Sequence, residues 1–140
     1  MPLTQLDHCS IRTAQLEETR QFYVDVLGLT VGPRPSFPFP GVWLYRGEQA
    51  VVHVIGIDPN DASGLKDYLG DRGADASGGT GTIDHIAFTA TGLAEMRAQL
   101  SAAGLEFRER AVPNLALHQI FVVDPNGVTL ELNYSGADLA

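Results

Sequence analysis

Apolar residues recur at every second position in several short runs of this chain, and at every third or fourth position in two longer ones. The segment from Leu3 to Thr13, "LTQLDHCSIRT", alternates and predicts a strand. Thr13 then stands where an N-cap belongs, with Glu17 and Glu18 in the opening turns. Leu16, Phe22, Tyr23, Val26 and Leu27 form the apolar side of a helix, and Gly28 sits at the expected C-terminal stop. After a proline-rich insert come two further strands, "GVWLYRG" and "AVVHVIG".

The second half repeats this order. "TIDHIAFTA" reads as a strand; Leu93, Met96, Leu100 and Ala103 follow at helical spacing, and Gly104 closes that helix. "LHQIFVVD" and "VTLELNY" are strands joined by the turn Asp124-Pro125-Asn126-Gly127. The separation is 77 residues from His8 to His85, 76 from Gly28 to Gly104 and 78 from His53 to Glu131. Such constant offsets imply two copies of a βαβββ-type unit within one 140-residue domain. The first module spans about 3–57, a Gly-, Asp- and Ser-rich linker 58–81, and the second module about 82–134. "LKDYL" (65–69) reads as a helical turn in the linker, and Gly78 to Gly81 as flexible chain, because no Lys and no helix follow as a phosphate loop requires.

Composition narrows the function classes. The apolar share of 44% and charged share of 19% fit a soluble globule, and no apolar run approaches the roughly 20 residues that span a bilayer. No signal peptide is visible, so a cytoplasmic location and no membrane partner are expected. The net charge is −8 with only Lys66 and eight arginines on the basic side, which argues against nucleic acid as a partner. Cys9, the sole cysteine, excludes an intrachain disulfide and a multi-thiolate metal site and reads as a packed thiol.

Four ionisable residues stand inside apolar strands: His8, His53, His85 and Glu131. Taken singly, each has an ordinary explanation as a hydrogen-bonded or wet-face residue. Jointly they occupy equivalent places in the two copies, so superposing the copies about a pseudo-twofold axis directs all four to one point. Left unpaired there they would be costly, whereas a divalent cation would take neutral imidazoles and a carboxylate as ligands. Three nitrogens and one oxygen suit Fe, Mn, Co, Ni or Zn as the divalent ion, and do not suit calcium.

The doubled unit, "FYVDVLGL", "DHIAF" and above all "DPNGVTLELNY" resemble the vicinal oxygen chelate superfamily, which includes glyoxalase I, bleomycin resistance proteins and extradiol dioxygenases. The resemblance runs from about Leu3 to Tyr134. It implies an α+β fold of two tandem βαβββ modules forming an open, cup-like eight-stranded sheet around a metal site. Its ligand positions fall on His8, His53, His85 and Glu131. Relatives similar to glyoxalase I carry Glu or Gln where this chain has His53, and extradiol dioxygenases use only the other three. His53 is therefore either the fourth ligand or an acid–base group beside the metal.

Other residues complete the expected cup. If Val123 opposes Val128 in the last hairpin, then His118 shares a face with Glu131 and becomes a third candidate catalytic residue beside Glu131 and His53. Parity along the first strand puts Arg12 on the His8 face, where it can meet an anionic substrate oxygen or an acidic neighbour. Phe37, Phe39 and Trp43, in the insert "GPRPSFPFPGVWLY", offer an apolar wall over the cup or pack a module or subunit interface, and Tyr134, just beyond Glu131, is a further candidate substrate contact that can face either way. The resemblance implies a small-molecule substrate with adjacent oxygens and a homodimer. A glyoxalase-like lyase or isomerase working through an enediolate is the first expectation. An Fe(II) extradiol-type dioxygenase acting on a catechol is the second, and a metal-dependent binding or resistance protein the third. No residue supports glutathione as co-substrate, and the lack of a Lys-rich pocket speaks against a phosphonate.

Overall fold

The computed structural model describes residues 6–58, 60, 63–64, 85–112 and 116–139. The expected strand start at Leu3, the "LKDYL" turn, the glycine run 78–81 and the Thr82–Asp84 start of the fifth strand lie outside these residues. The chain divides after Ser77 into two compact units.

In the first unit, β1 (Cys9–Thr13) leads into α1 (Leu16–Gln21), which continues as a π-helical turn over Phe22–Val26. Three strands follow: β2 (Thr30–Gly32), β3 (Gly41–Arg46) and β4 (Gln49–Gly56). They make a four-stranded mixed sheet in the order β1-β4-β3-β2, with β1 parallel to β4 and the other pairs antiparallel. The second unit repeats the plan with β5 (Ile86–Thr89), α2 (Leu93–Ala102), β6 (Phe107–Val112), β7 (Leu117–Val123) and β8 (Thr129–Ser135), ordered β5-β8-β7-β6. A 3₁₀ turn, Gly136–Leu139, ends the described chain. The expected α+β architecture of two βαβββ modules is thus present, its eight strands laid out as two four-stranded sheets that do not close. The sequence reading passed over β2 and β6. The former is three residues long, and the latter, "FRERAV", carries charges along an exposed edge where they discourage pairing with another chain.

Alternation decides what each sheet buries. Along β4, Val52, Val54 and Gly56 are buried while Val51, His53 and Ile55 are half-buried. The buried side meets Ile11, Phe22, Tyr23, Leu29 and Leu44 in the core of the first unit, with α1 packed on β3 and β4. In β8 the buried set is Leu130, Leu132 and Tyr134, joined in the core of the second unit by Ile120, Val122, Leu93 and Leu100. The opposite faces hold His53 and Glu131.

The helix ends show the duplication in backbone detail. Gly28 and Gly104 both take left-handed φ, +84° and +70°, and Leu29 N–H and Leu105 N–H turn back to the Tyr23 and Leu100 carbonyls. The helix starts differ. Thr13 accepts a hydrogen bond from Gln15 N–H (2.8 Å), making a turn before the helix, while Gln15 rather than Thr13 is the N-cap residue. For α2, Asp138 caps from a distance: its Oδ1 accepts from Gly92 N–H (2.8 Å) and Leu93 N–H (3.1 Å).

Candidate functional site

The parallel ladders put the expected donors in matching places. Ser10 pairs with His53 in the first sheet and Ala87 with Glu131 in the second, while His8 and His85 stand two residues before those partners. Each unit therefore brings together one residue ahead of its first strand and one from its last, on the face away from its core.

In the first unit the meeting is a ring stack. His8 and His53 lie with centroids 3.7 Å apart and planes 11° apart, and Trp43 covers the other face of His53 at 3.9 Å and 11°. Asp7 Oδ2 lies 2.7 Å from His8 Nδ1, so the carboxylate holds the proton of a neutral ring there and leaves the lone pair at Nε2. Gln49 fixes the approach by donating to the Asp7 carbonyl (2.6 Å). Burial, aided by any charge on His8, holds the His53 imidazole below its ordinary pKa, against smaller opposing effects of a backbone hydrogen bond involving Ala50 and of Asp7. Both of the larger effects favour the neutral imidazole.

In the second unit the meeting is a longer imidazole–carboxylate contact: His85 Nε2 stands 3.8 Å from Glu131 Oε1. The other carboxylate oxygen ends a hydrogen-bond chain. Arg110 donates to Gln119 Oε1 from Nε (2.9 Å) and Nη2 (2.6 Å), Gln119 Nε2 donates to Asn133 Oδ1 (2.9 Å), and Asn133 Nδ2 donates to Glu131 Oε2 (3.1 Å). A guanidinium can only donate, so each amide downstream must accept on one side and donate on the other. The chain has one direction, and its last member must be an acceptor. Sequence reading missed Arg110, Gln119 and Asn133; the signal was there in the shared parity of Gln119, Asn133 and Glu131 across one hairpin.

These donors can be tested against a cation. With ligand bonds of about 2.0–2.2 Å, two donors on one ion can lie no more than about 4.2 Å apart. The His85–Glu131 separation of 3.8 Å meets that limit. The His8–His53 stack does not chelate as it stands, because an ion sits in the plane of each imidazole that binds it and two parallel rings have no common in-plane point. One ring has to turn. Neither unit by itself gathers three donors among its described residues.

The expected substrate contacts separate into two groups. Arg12, Phe37, Phe39 and Trp43 line a cavity of about 530 Å³ in the first unit, together with His8, Ser10 and His53. Arg34, which the sequence reading did not select, lines it as well. Tyr134 does not face a site of this kind. It is fully buried in the core of the second unit, and burial pushes its phenol up to about 12. His118 is likewise displaced from its expected place. The register sets Phe121 rather than Ile120 opposite Glu131, and His118 opposite Tyr134, so His118 lies on the face away from Glu131. There its Nε2 meets Glu109 Oε1 (2.7 Å), which Arg97 also binds (2.8 Å).

The profile of the Glyoxalase/Bleomycin resistance protein/Dioxygenase superfamily matches residues 5–132. The chain belongs to that superfamily. Among its relatives, this glyoxalase-superfamily chain is 25% identical to glyoxylase I 4 of Arabidopsis thaliana over 133 residues, which cover 93% of this chain and 70% of that protein. Solved structures share the fold. Lactoylglutathione lyase from Agrobacterium tumefaciens superposes with a TM-score of 0.65 at 21% identity, covering 95% of both chains. The fosfomycin resistance protein FosX from Listeria monocytogenes gives 0.67 at 15% identity, covering 98% of both. A glyoxylase/bleomycin resistance protein/dioxygenase domain from a Frankia strain gives 0.70 at 15%, covering 96% of this chain and 99% of that one. No helix among the described residues is long and apolar enough to cross a membrane.

Proposed function

We propose that this superfamily member is a divalent-metal-dependent lyase or isomerase acting on a small molecule with adjacent oxygens, and that His8, His53, His85 and Glu131 serve one ion. The observation that carries the reading is Glu131, whose Oε2 is held by Asn133 while Oε1 stands 3.8 Å from His85. A transition ion bound to such donors supplies Lewis acidity to two neighbouring substrate oxygens. Oε1, the oxygen that Asn133 does not bind, would hold the ion beside His85 and, once Glu131 swings away, would act as the base that takes a proton from the carbon next to a substrate carbonyl. Asn133, Gln119 and Arg110 keep that carboxylate oriented and ready to accept. His8, with its Nδ1 proton on Asp7, presents Nε2 as donor. Neutral His53 is suited to pass a proton at oxygen, and Trp43 keeps one face of it dry.

The test is solvent exchange. With 2-oxoaldehyde–thiol adducts in D2O and protein loaded separately with Fe, Mn, Co, Ni or Zn, deuterium should enter at the carbon next to the carbonyl. Glu131→Gln should abolish entry while leaving the melting temperature near wild type. No exchange with any metal would refute the reading.

One observation favours a second reading, the Fe(II) extradiol-type dioxygenase. The stack of His53 between Trp43 and His8 suits a three-donor set of His8, His85 and Glu131 with His53 as a proton-handling neighbour. Iron in anaerobically purified protein, together with O₂ uptake on a catechol, selects this alternative. Retention of metal by His53→Ala with loss of turnover assigns the histidine to proton transfer. The same family reading expects a homodimer, which light scattering of the purified protein checks.

A further inference from the structure

The insert between β2 and β3 holds a guanidinium that the proposed chemistry does not use. Arg34 Nη2 donates to the Phe39 carbonyl (2.9 Å), and its guanidinium carbon lies 5.0 Å from the Phe37 ring centroid and 5.2 Å from that of Phe39. These two rings are themselves stacked at 5.1 Å and 9°. Room for the fork comes from Gly41: a Cβ there would lie 2.9 Å from Arg34 Nη2 and 2.6 Å from the Val54 carbonyl oxygen. One hydrogen bond of the five a guanidinium can donate is thus spent on placement, and no carboxylate among the described residues pairs with it. Half-burial depresses its pKa without discharging it, since arginine stays cationic at any ordinary pH.

The surroundings repeat the message. Among the described residues, the cavity that Arg34 lines contains Arg12, two histidines and three aromatic residues, and no acidic residue. This holds in a chain whose net charge is −8. Arg34 and Arg12 thus stand beside flat apolar surfaces on this wall, while the nearby carboxylates Asp7 and Glu48 line the adjoining pocket on the other side of Trp43 and His53.

We propose that this cavity takes a ligand with a flat apolar body and a carboxylate, the body lying against Phe37 and Trp43 and the carboxylate on the fork of Arg34. The proposal names the substrate class of the site and rests on the enzymatic reading only for what happens after binding; the binding claim stands on the first unit alone. Arg34 is a specificity residue in this scheme, set in place by Phe39 and Gly41.

Trp43 is the chain's single tryptophan and lines the cavity, so its fluorescence reports occupancy directly. Metal-free, EDTA-treated full-length protein is titrated with 3-phenylpropionate and with the uncharged 3-phenylpropionamide. Loss of a charge-assisted bond predicts roughly a tenfold or greater preference for the acid. Arg34→Gln should reduce the preference to within about twofold, Arg34→Lys should retain part of it, and Arg12→Gln should leave most of it. Equal binding of acid and amide, a preference that survives in Arg34→Gln, or no saturable quenching by either probe would each overturn the proposal. Because no metal and no turnover are involved, failure of deuterium exchange with this preference intact refutes only the catalytic reading, and the reverse pattern refutes only this one.

Discussion

The amide chain leading to Glu131 makes a prediction about direction rather than strength. Replacing Gln119 with Glu keeps the size of the side chain and gives Arg110 a better acceptor, so a surface-charge argument predicts added stability. Directional hydrogen bonding predicts the opposite. A carboxylate at position 119 cannot donate to Asn133 Oδ1, 2.9 Å away, and two acceptors then face each other. Asn133 can escape by turning its amide, which presents Oδ1 to Glu131 Oε2 across the present 3.1 Å contact. The chain loses one donor wherever the conflict settles. Each lost bond costs about 1 kcal/mol net between neutral groups and about 1.5–3 kcal/mol to a charged one. Gln119 is 6% exposed, so water compensates little at its end. The new ion pair with Arg110, an exposed residue, returns at most about 1 kcal/mol. The balance is a loss of roughly 1–2 kcal/mol, or on the order of 3–8 °C in Tm for a chain of this size. Calorimetry of wild type, Gln119→Glu and Gln119→Leu measures it, and a double-mutant cycle of Gln119→Leu with Asn133→Leu should show coupling of about 0.5 kcal/mol or more. A Gln119→Glu protein that melts at or above the wild-type temperature, or strict additivity in the cycle, refutes the one-way chain.

Three further outcomes follow from groups already described. The Tyr134 hydroxyl is buried without a hydrogen-bond partner among the described residues, so Tyr134→Phe should hold or raise stability, by about 1 kcal/mol, and leave probe binding unchanged; a lower Tm would contradict this. Burial raises the Glu109 carboxyl while hydrogen bonds from His118 and Arg97 lower it more, so its folded pKa lies below the ordinary value of 4.5. Its contribution is then complete above that value and lost as pH falls through the folded pKa, and Glu109→Gln should flatten the acid limb of a Tm–pH curve. Gly41→Ala, which at an unstrained glycine would usually stabilise, should here cost about 1–3 kcal/mol and also weaken the acid preference, because the added methyl displaces both the Val54 carbonyl contact and Arg34.

Much of the fold was readable because the duplication wrote each feature twice. The helix stops at Gly28 and Gly104 and the equivalent pairs His8/His85 and His53/Glu131 were visible as offsets, and each pair sits at the same ladder position in its sheet. The hairpin register was not readable, for a local reason. Asp124 is buried and accepts from Asn126 N–H (2.7 Å) and Val128 N–H (2.9 Å), while its own N–H bonds the Val128 carbonyl (2.9 Å). The loop therefore consumes one residue more than a tight turn, with Gly127 at φ +88°, and the ladder starts from Val123 opposite Thr129. That single step moved His118 to the other face. Arg34 escaped notice for a different reason: it lies in a proline-rich insert without periodicity, where only contacts assign a face.

The two halves share one blueprint but have been furnished differently, one with rings and arginines, the other with a polarised file of amides. If the proposed ligand wall holds, changes in the insert between β2 and β3 would alter what binds while leaving intact the hydrogen bonds that orient the carboxylate on β8. A designer seeking altered specificity has a natural place to cut, and an equally clear place to leave alone.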